Sequence, residues 1–160
     1  MSVGRFIAGI AAVLWREDDN TYLILRRSAQ KDHGAGHWET VTGRVDQGES
    51  YIEALHREVK EETGLAIKLE FVIGCTHFYR GESVPENELL GVIFCCTTLT
   101  PDALVRSDEH DAHKWVTLAE VQAMFPADNW LRRSLERADL MNRLLPADLQ
   151  ATMQAEGYAF

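Results

Sequence analysis

The stretch Gly43-Arg44-Val45-Asp46-Gln47-Gly48-Glu49 and its continuation Arg57-Glu58-Val59-Lys60-Glu61-Glu62-Thr63-Gly64-Leu65 decide the fold. Within them, two glycines, an arginine and four glutamates stand at fixed spacings, followed by an aliphatic residue. Seven specified residues, each about one in fifteen in average composition, rarely recur together by chance in a chain of this length. The stretch is therefore a specific motif.

The second half of the motif is predicted to be a helix. Ser50 and Glu53 have the spacing of a capping box, and Gly48 just before them suits a tight turn. Gly64 fits the C-terminal stop. Apolar residues recur at helical spacing and predict the face that packs on the core: Ile52, Leu55 and Val59.

Three carboxylates lie on one flank of this helix. Glu58, Glu61 and Glu62 stand at i, i+3 and i+4, so their side chains are neighbours and repel one another. A hard divalent cation with oxygen ligands, such as Mg²⁺, would turn that repulsion into a binding site. The alternative is a solvated acidic face. The flanking glycines, with Glu49 and Arg57 in register, favour the metal site.

Length and composition predict one domain spanning residues 1–160. The chain is 46% hydrophobic and 26% charged, enough for one sizeable core. Residues 6–15 form the longest apolar stretch and are too few to span a bilayer, so we expect a soluble, cytoplasmic protein without a membrane partner. The three cysteines lack disulfide or zinc spacing and are predicted to be small buried residues on strands.

The net charge of -9 argues against a nucleic-acid polymer as partner, because such binding needs clustered basic residues. A small phosphorylated ligand is compatible with this charge, because bound metal ions supply positive charge locally. The sequence leaves open whether the protein is a monomer or a homodimer.

The order of elements predicts an α+β domain with a mixed sheet, because strands, a helix, strands and helices do not alternate as a parallel sheet requires. Strands are expected at residues 6–15, 22–26, 38–41, 69–79, 88–98 and 114–116. Thr117 opens a short helix that ends before Pro126. A longer helix follows, capped by Asp128, with Leu131, Leu135, Ala138 and Met141 on its buried side. A terminal helix is expected from Pro146.

The motif resembles the Nudix box at every specified position. The resemblance implies the Nudix fold, an α/β/α sandwich with a mixed sheet. It also implies Mg²⁺-dependent hydrolysis of a pyrophosphate bond in a nucleoside diphosphate linked to a further group, with Mn²⁺ as a possible substitute and water as the nucleophile.

The same resemblance assigns roles to individual residues. Glu58 and Glu62 are the main metal ligands, with Glu61 close by and the backbone carbonyl of Gly43 completing the shell. Arg57 orients the cluster by pairing with Glu49. The catalytic base is left open between a box glutamate, Glu58 or Glu61, and a later one, Glu109. For Glu109 the alternative reading is an acidic surface loop.

Substrate contacts are less specific. Arg27, Arg44 and His37 are our candidates for substrate binding, and Arg26, Lys31 and His33 are weaker ones. Each has the alternative of a solvated surface residue. Aromatic residues that could stack a base, with a core position as the alternative, are Phe78, Tyr79 and Trp130.

Within the family, residues 38–43 together with Glu109-His110 and Lys114-Trp115-Val116 look closest to pyrophosphohydrolases of nucleoside and pterin triphosphates. Residues 109–115 also resemble dinucleoside polyphosphate hydrolases. A nucleotide-sensing domain without turnover is a further alternative. Such domains usually lose box carboxylates, and this chain retains all of them.

Overall fold

Strand β1 (Ile7–Arg16) lies at the centre of a mixed sheet. The computed structural model describes residues 4–30 and 34–156, and within them the sheet has seven strands and four α-helices accompany it. The other strands are β2 (Thr21–Arg27), β3 (Trp38–Glu39), β4 (Val41–Arg44), β5 (Ile67–Tyr79), β6 (Glu88–Thr98) and β7 (His110–Val116). The helices are α1 (Tyr51–Thr63), α2 (Leu118–Met124), α3 (Trp130–Leu144) and α4 (Ala147–Glu156).

Strand β1 pairs in parallel with β6, from Ile7 opposite Leu89 to Trp15 opposite Thr97. Its other edge is shared by β4 and β2, both antiparallel. Strand β5 pairs with β6, and β3 and β7 pair with β2, all antiparallel. A parallel pair among antiparallel ones makes the sheet mixed, which confirms the predicted class.

The predicted strand at 38–41 is two strands that pair with different neighbours. Strand β3 pairs with β2, whereas β4 pairs with β1. Thr40 lies at the junction, where it is buried and its hydroxyl donates a hydrogen bond to the carbonyl oxygen of Ala12. The chain therefore changes partner at Thr40 and carries the box glycine Gly43 onto β1.

Alternate residues of β1 point into two cores on opposite faces of the sheet. Ala12 and Leu14 belong to a core that α1 covers with Leu55 and Val59. Val13 belongs to the other core, which α3 covers with residues Leu131, Leu135 and Ala138. Helices on both faces confirm the predicted α/β/α sandwich.

Helix α1 begins and ends where the motif predicts. Ser50 is its N-cap in a complete capping box with Glu53, and Gly64 ends it in the left-handed region with φ 69°. Thr117 and Glu120 form the second predicted capping box, at α2. None of the helices in the described ranges is long and apolar enough to cross a membrane.

Three local predictions need correction. Helix α3 is capped by Asn129 and not by Asp128, because the helix begins at Trp130 and the capping oxygen comes from the residue just before it. Cys95 and Cys96 are buried, but Cys75 is exposed, because this part of β5 faces a cleft. Strand β7 begins at His110, four residues before the predicted strand at 114–116.

Candidate active site

A cleft of about 1520 Å³ lies against the motif formed by residues 43–65. One end is lined by Gly43 on β4 and by Glu58 and Glu62 on α1. The lining also includes residues of β1, β5 and β6 and the exposed side of α3, which carries Trp130 and Arg137. The predicted metal residues Gly43, Glu58 and Glu62 therefore lie together in one concave site.

Gly43 allows the carboxylate of Glu58 to lie against strand β4. A Cβ atom built at Gly43 would lie 2.0 Å from Cδ of Glu58, far inside van der Waals contact. The backbone amide of Arg44 donates a hydrogen bond to Oε1 of Glu58 at 3.1 Å. A Cβ at Gly9 on β1 would lie 3.3 Å from the carbonyl oxygen of Gly43. Glycines thus let the strand backbone and the carboxylate meet.

Arg57 connects the loop and the helix of the motif through hydrogen bonds and ion pairs. Its Nε and Nη2 each donate to one oxygen of Glu49 at 2.8 Å, which forms the predicted pair. Its Nη1 contacts Glu58 at 2.9 Å, and Nη2 also donates to the carbonyl oxygen of Arg44 at 2.8 Å. The hydrogen bonds from Arg57 lower the pKa of Glu49 to about 2. Arg57 thereby fixes the loop and the helix relative to each other.

Glu62 is an acid buried at the base of the cleft. It is 5% exposed, and its Oε2 has no hydrogen-bond partner within the described residues. Burial, together with the charges of Glu39, Glu58 and Glu109, raises its pKa to about 9. A buried carboxylate surrounded by like charges is stable as an anion only where a positive charge compensates it.

Glu39 and His110 form a pair next to Glu62. No contact between these two residues was predicted from the sequence. Oε1 of Glu39 contacts Nη1 of Arg27 at 2.9 Å and Nε2 of His110 at 3.0 Å. His110 is fully buried, and its Nε2 lies 3.9 Å from Oε2 of Glu62. A buried polar residue in a strand was the available signal, but only the pairing of β2 with β3 and β7 brings these side chains together.

Glu61 and Glu109 occupy different places. The side chain of Glu61 is 60% exposed, lies 3.4 Å from Nη1 of Arg57 and is not part of the cleft lining. Glu109 lines the cleft and adds to the charge around Glu62. Its carbonyl oxygen accepts a hydrogen bond from the amide of Ser28 at 2.9 Å, which ties its loop to the end of β2.

Several predicted substrate residues share this cleft. Its lining includes Arg27, Arg44, His37, Phe78 and Trp130. Arg26 instead pairs with Asp111 at 2.6 Å, and Tyr79 lies outside the lining. Lys31 and His33 lie outside the described residues.

The oxygen atoms of Gly43, Glu58 and Glu62 are suitable ligands for a hard cation, although they are not arranged as a complete metal site. Within residues 4–30 and 34–156, no three acidic, His or Cys side chains are already grouped as a metal site. Glu58 and Glu62 are nevertheless in the same cleft, one with its carboxylate against the backbone of Gly43 and the other with a buried oxygen that lacks a partner. Carboxylate and carbonyl oxygens are the ligands that Mg²⁺ takes.

Comparison with known proteins agrees with this geometry. A profile of the NUDIX domain matches residues 5–138. The structure of the MutT protein from Methanosarcina mazei Go1 superposes with a TM-score of 0.72 at 27% identity, covering 89% of this chain and 99% of that one.

Two curated relatives differ in how much of their length is matched. The octanoyltransferase of Myxococcus xanthus is 35% identical over 130 residues, which cover 81% of this chain and 35% of that protein. The dihydroneopterin triphosphate diphosphatase of Escherichia coli K12 is 28% identical over 134 residues, covering 78% of this chain and 85% of that protein. This chain spans 35%, 41% and 50% of the lengths of three curated relatives.

Proposed function

The chain belongs to the Nudix family, and from that premise we propose that it is a Mg²⁺-dependent hydrolase of a pyrophosphate bond in a nucleoside or pterin triphosphate. Water is the nucleophile, and the products are a monophosphate and pyrophosphate. The observation that carries this proposal is the buried oxygen of Glu62, which has no hydrogen-bond partner among the described residues, in the cleft that Glu58 and Gly43 also line. A ligand set built from these groups accounts for a carboxylate that is otherwise costly to bury.

Glu58, Glu62 and the carbonyl oxygen of Gly43 would hold the metal, and Glu61, on the same helix but outside the cleft lining, would stand close by as a further ligand. Bound Mg²⁺ would neutralise phosphate charge and lower the pKa of a bound water. Mn²⁺ takes the same kind of oxygen ligands and is the expected substitute.

The protein's own groups supply orientation and proton transfer. Arg57 holds Glu58 against β4 through its contacts with Glu49 and Arg44, so the carboxylate is in place before substrate arrives. Glu109 lines the cleft and accepts the proton of the attacking water in our proposal. A box glutamate, Glu58 or Glu61, is the other position for the base.

Positive side chains on the cleft wall receive the phosphates. Arg27 and Arg44 would donate to phosphate oxygens, with His37 beside them. The likeness to the dihydroneopterin triphosphate diphosphatase of E. coli supports a triphosphate substrate. The net charge of -9 supports a small ligand over a nucleic-acid polymer.

The decisive test is Glu62→Gln, assayed at saturating Mg²⁺ with a nucleoside triphosphate. The substitution removes one carboxylate charge and keeps the shape, so kcat should fall by roughly three orders of magnitude while the protein stays folded. Glu86→Gln, an exposed carboxylate in the β5–β6 turn, is the matched control and should leave kcat unchanged. Full activity in the Glu62 variant would refute the ligand assignment.

The base is tested separately. Glu109→Gln should reduce kcat by about 100-fold and flatten the acidic limb of the pH profile, without changing the Mg²⁺ concentration needed for half-maximal activity. Recovery of activity at higher Mg²⁺ would show instead that Glu109 binds metal and that the base lies in the box.

A panel of triphosphates, dinucleoside polyphosphates, ADP-ribose and nucleotide sugars, ranked by kcat/KM, tests the substrate. A triphosphate should rank first. A tenfold preference for any other class would replace the substrate assignment. Binding of nucleotide without turnover, at any Mg²⁺ concentration, would indicate a sensing domain.

A further inference from the structure

The arginines of this acidic protein differ in whether they pair with a carboxylate. Five that lie outside the cleft lining do so: Arg16, Arg26, Arg57, Arg132 and Arg143. Four that line the cleft form no ion pair with a carboxylate of the described residues: Arg44, Arg80, Arg133 and Arg137. These four guanidiniums therefore lie in the cleft without a neutralising carboxylate among the described residues, in a chain with 25 acidic residues.

Arg80 is the most unusual of the four. It follows β5 in a turn that is pinned by a hydrogen bond from its amide to the carbonyl oxygen of Asn87 at 2.9 Å. Its side chain is half-buried, although burial of a guanidinium without an anion is unfavourable. Burial lowers the pKa of Arg80, and the neighbouring charges of Arg44 and Arg27 lower it further.

Arg80, Arg44 and Arg27 come from three different parts of the fold and line the same cleft. Arg27 ends β2 and is held by Glu39, and Arg44 ends β4. The backbone of Arg44 is fixed from both sides, because its amide donates to Glu58 and its carbonyl oxygen accepts from Arg57. The backbone of Arg44 therefore lies directly beside the carboxylate of Glu58.

We propose that Arg80, together with Arg44 and Arg27, forms a site for the free terminal phosphate of the substrate, so that this protein selects polyphosphates with an uncapped end. The inference rests on the proposed function and assigns the residues that recognise the free end of its triphosphate. Arg80 is a binding residue in this proposal, and the sequence motif gives no indication of it.

Charge explains why the uncapped end is selected. A terminal phosphate carries about -1.5 to -2 at neutral pH, whereas a phosphate esterified on both sides carries one negative charge. Guanidinium groups bind such an end through paired N–H donors. Three guanidiniums in one cleft, one of them already paired with Glu39, match the extra charge and the extra oxygen of an uncapped phosphate.

The test measures binding without metal, so it does not depend on hydrolysis. Calorimetry in EDTA compares a nucleoside triphosphate with the dinucleoside triphosphate of the same base, which has both phosphate ends capped. Arg80→Gln should weaken binding of the nucleoside triphosphate by at least tenfold and binding of the dinucleoside triphosphate by less than threefold. Arg80→Lys keeps the charge and loses the paired donors, so its affinity for the nucleoside triphosphate should lie between those of the wild type and of Arg80→Gln.

The matched control is Arg133→Gln, which removes the same charge from the same cleft but on helix α3. It should leave the ratio of the two affinities unchanged. Equal weakening of both ligands by Arg80→Gln, no weakening of either, or the same change of ratio in Arg133→Gln would overturn the proposal. A protein that shows the expected ratios but cleaves no pyrophosphate bond would keep the arginine site and lose the proposed function.

Discussion

The backbone of Gly43 and the carboxylate of Glu58 occupy space that a side chain at position 43 would fill. A Cβ atom there would lie 2.0 Å from Cδ and 2.2 Å from Oε1 of Glu58. The first glycine of the motif is therefore required by close approach and not by an unusual backbone angle. One element of the sequence pattern thus has a steric explanation that only the folded chain reveals.

Gly43→Ala should move the carboxylate of Glu58 out of place. A displacement of about 1 Å in a catalytic group costs roughly 100-fold in rate, and kcat should fall by that order. Gly4→Ala is the control, because a Cβ at Gly4 would meet nothing within 4 Å. Unchanged kcat in the Gly43 variant would mean that the contact does not position a group needed for turnover.

Acid should remove the stabilising effect of Glu49. Hydrogen bonds from Arg57 lower its pKa from the ordinary 4.5 to about 2 in the folded protein. A carboxylate whose pKa is lower in the folded state than in the unfolded state stabilises the fold at pH values above the unfolded-state pKa. This stability is lost as the pH falls from about 4.5 towards 2. Glu49→Gln should therefore be less stable than wild type at pH 7, with a difference that shrinks below pH 4.5. Urea unfolding at pH 7, 4 and 3 measures it, and Glu17→Gln is the surface control. A difference that grows on acidification would contradict the assignment.

Removing the cap of α1 should destabilise the helix that carries Glu58 and Glu62. The hydroxyl of Ser50 accepts a hydrogen bond from the amide of Glu53 at 3.2 Å. Ser50→Ala should lower the free energy of unfolding by about 1 kcal/mol. Ser50→Asp keeps an accepting oxygen and should recover most of that loss. Equal stability of the two variants in chemical unfolding would show that the cap contributes little.

One thiol should react in the native protein. Cys75 is exposed, whereas burial raises the pKa of Cys95 and Cys96 and keeps them from forming thiolates. A chromogenic disulfide reagent should therefore titrate one thiol before unfolding and three after it. In Cys75→Ser the native count should drop to zero. Rapid reaction of a second thiol in the folded wild type would show that the core around β6 opens.

Local signals in the sequence predicted the elements well. The capping box at Ser50 and the stop at Gly64 set the ends of α1, because both depend on residues close in the chain. The cap of α3 was misplaced by one residue, since Asp128 and Asn129 are adjacent and both residue types cap well.

What the sequence could not supply are contacts set by strand pairing. The change of partner at Thr40 is a backbone event with no periodic signature. Glu39 meets His110 only because β3 and β7 both pair with β2. Arg80 and Arg44 line one cleft only because the strands they follow or end belong to one sheet. The box residues were predictable from the motif, whereas the residues around them required the fold.

The parallel pairing of β1 with β6 has a consequence for how the protein is made. The two strands are about 80 residues apart in the chain, and such non-local pairing forms slowly because a long loop must close first. During synthesis, β1 leaves the ribosome before β6 has been made, so one edge of β1 has no partner at that stage. The nascent chain therefore exposes an apolar strand edge until β6 has also left the ribosome, and this interval is when it is most open to aggregation.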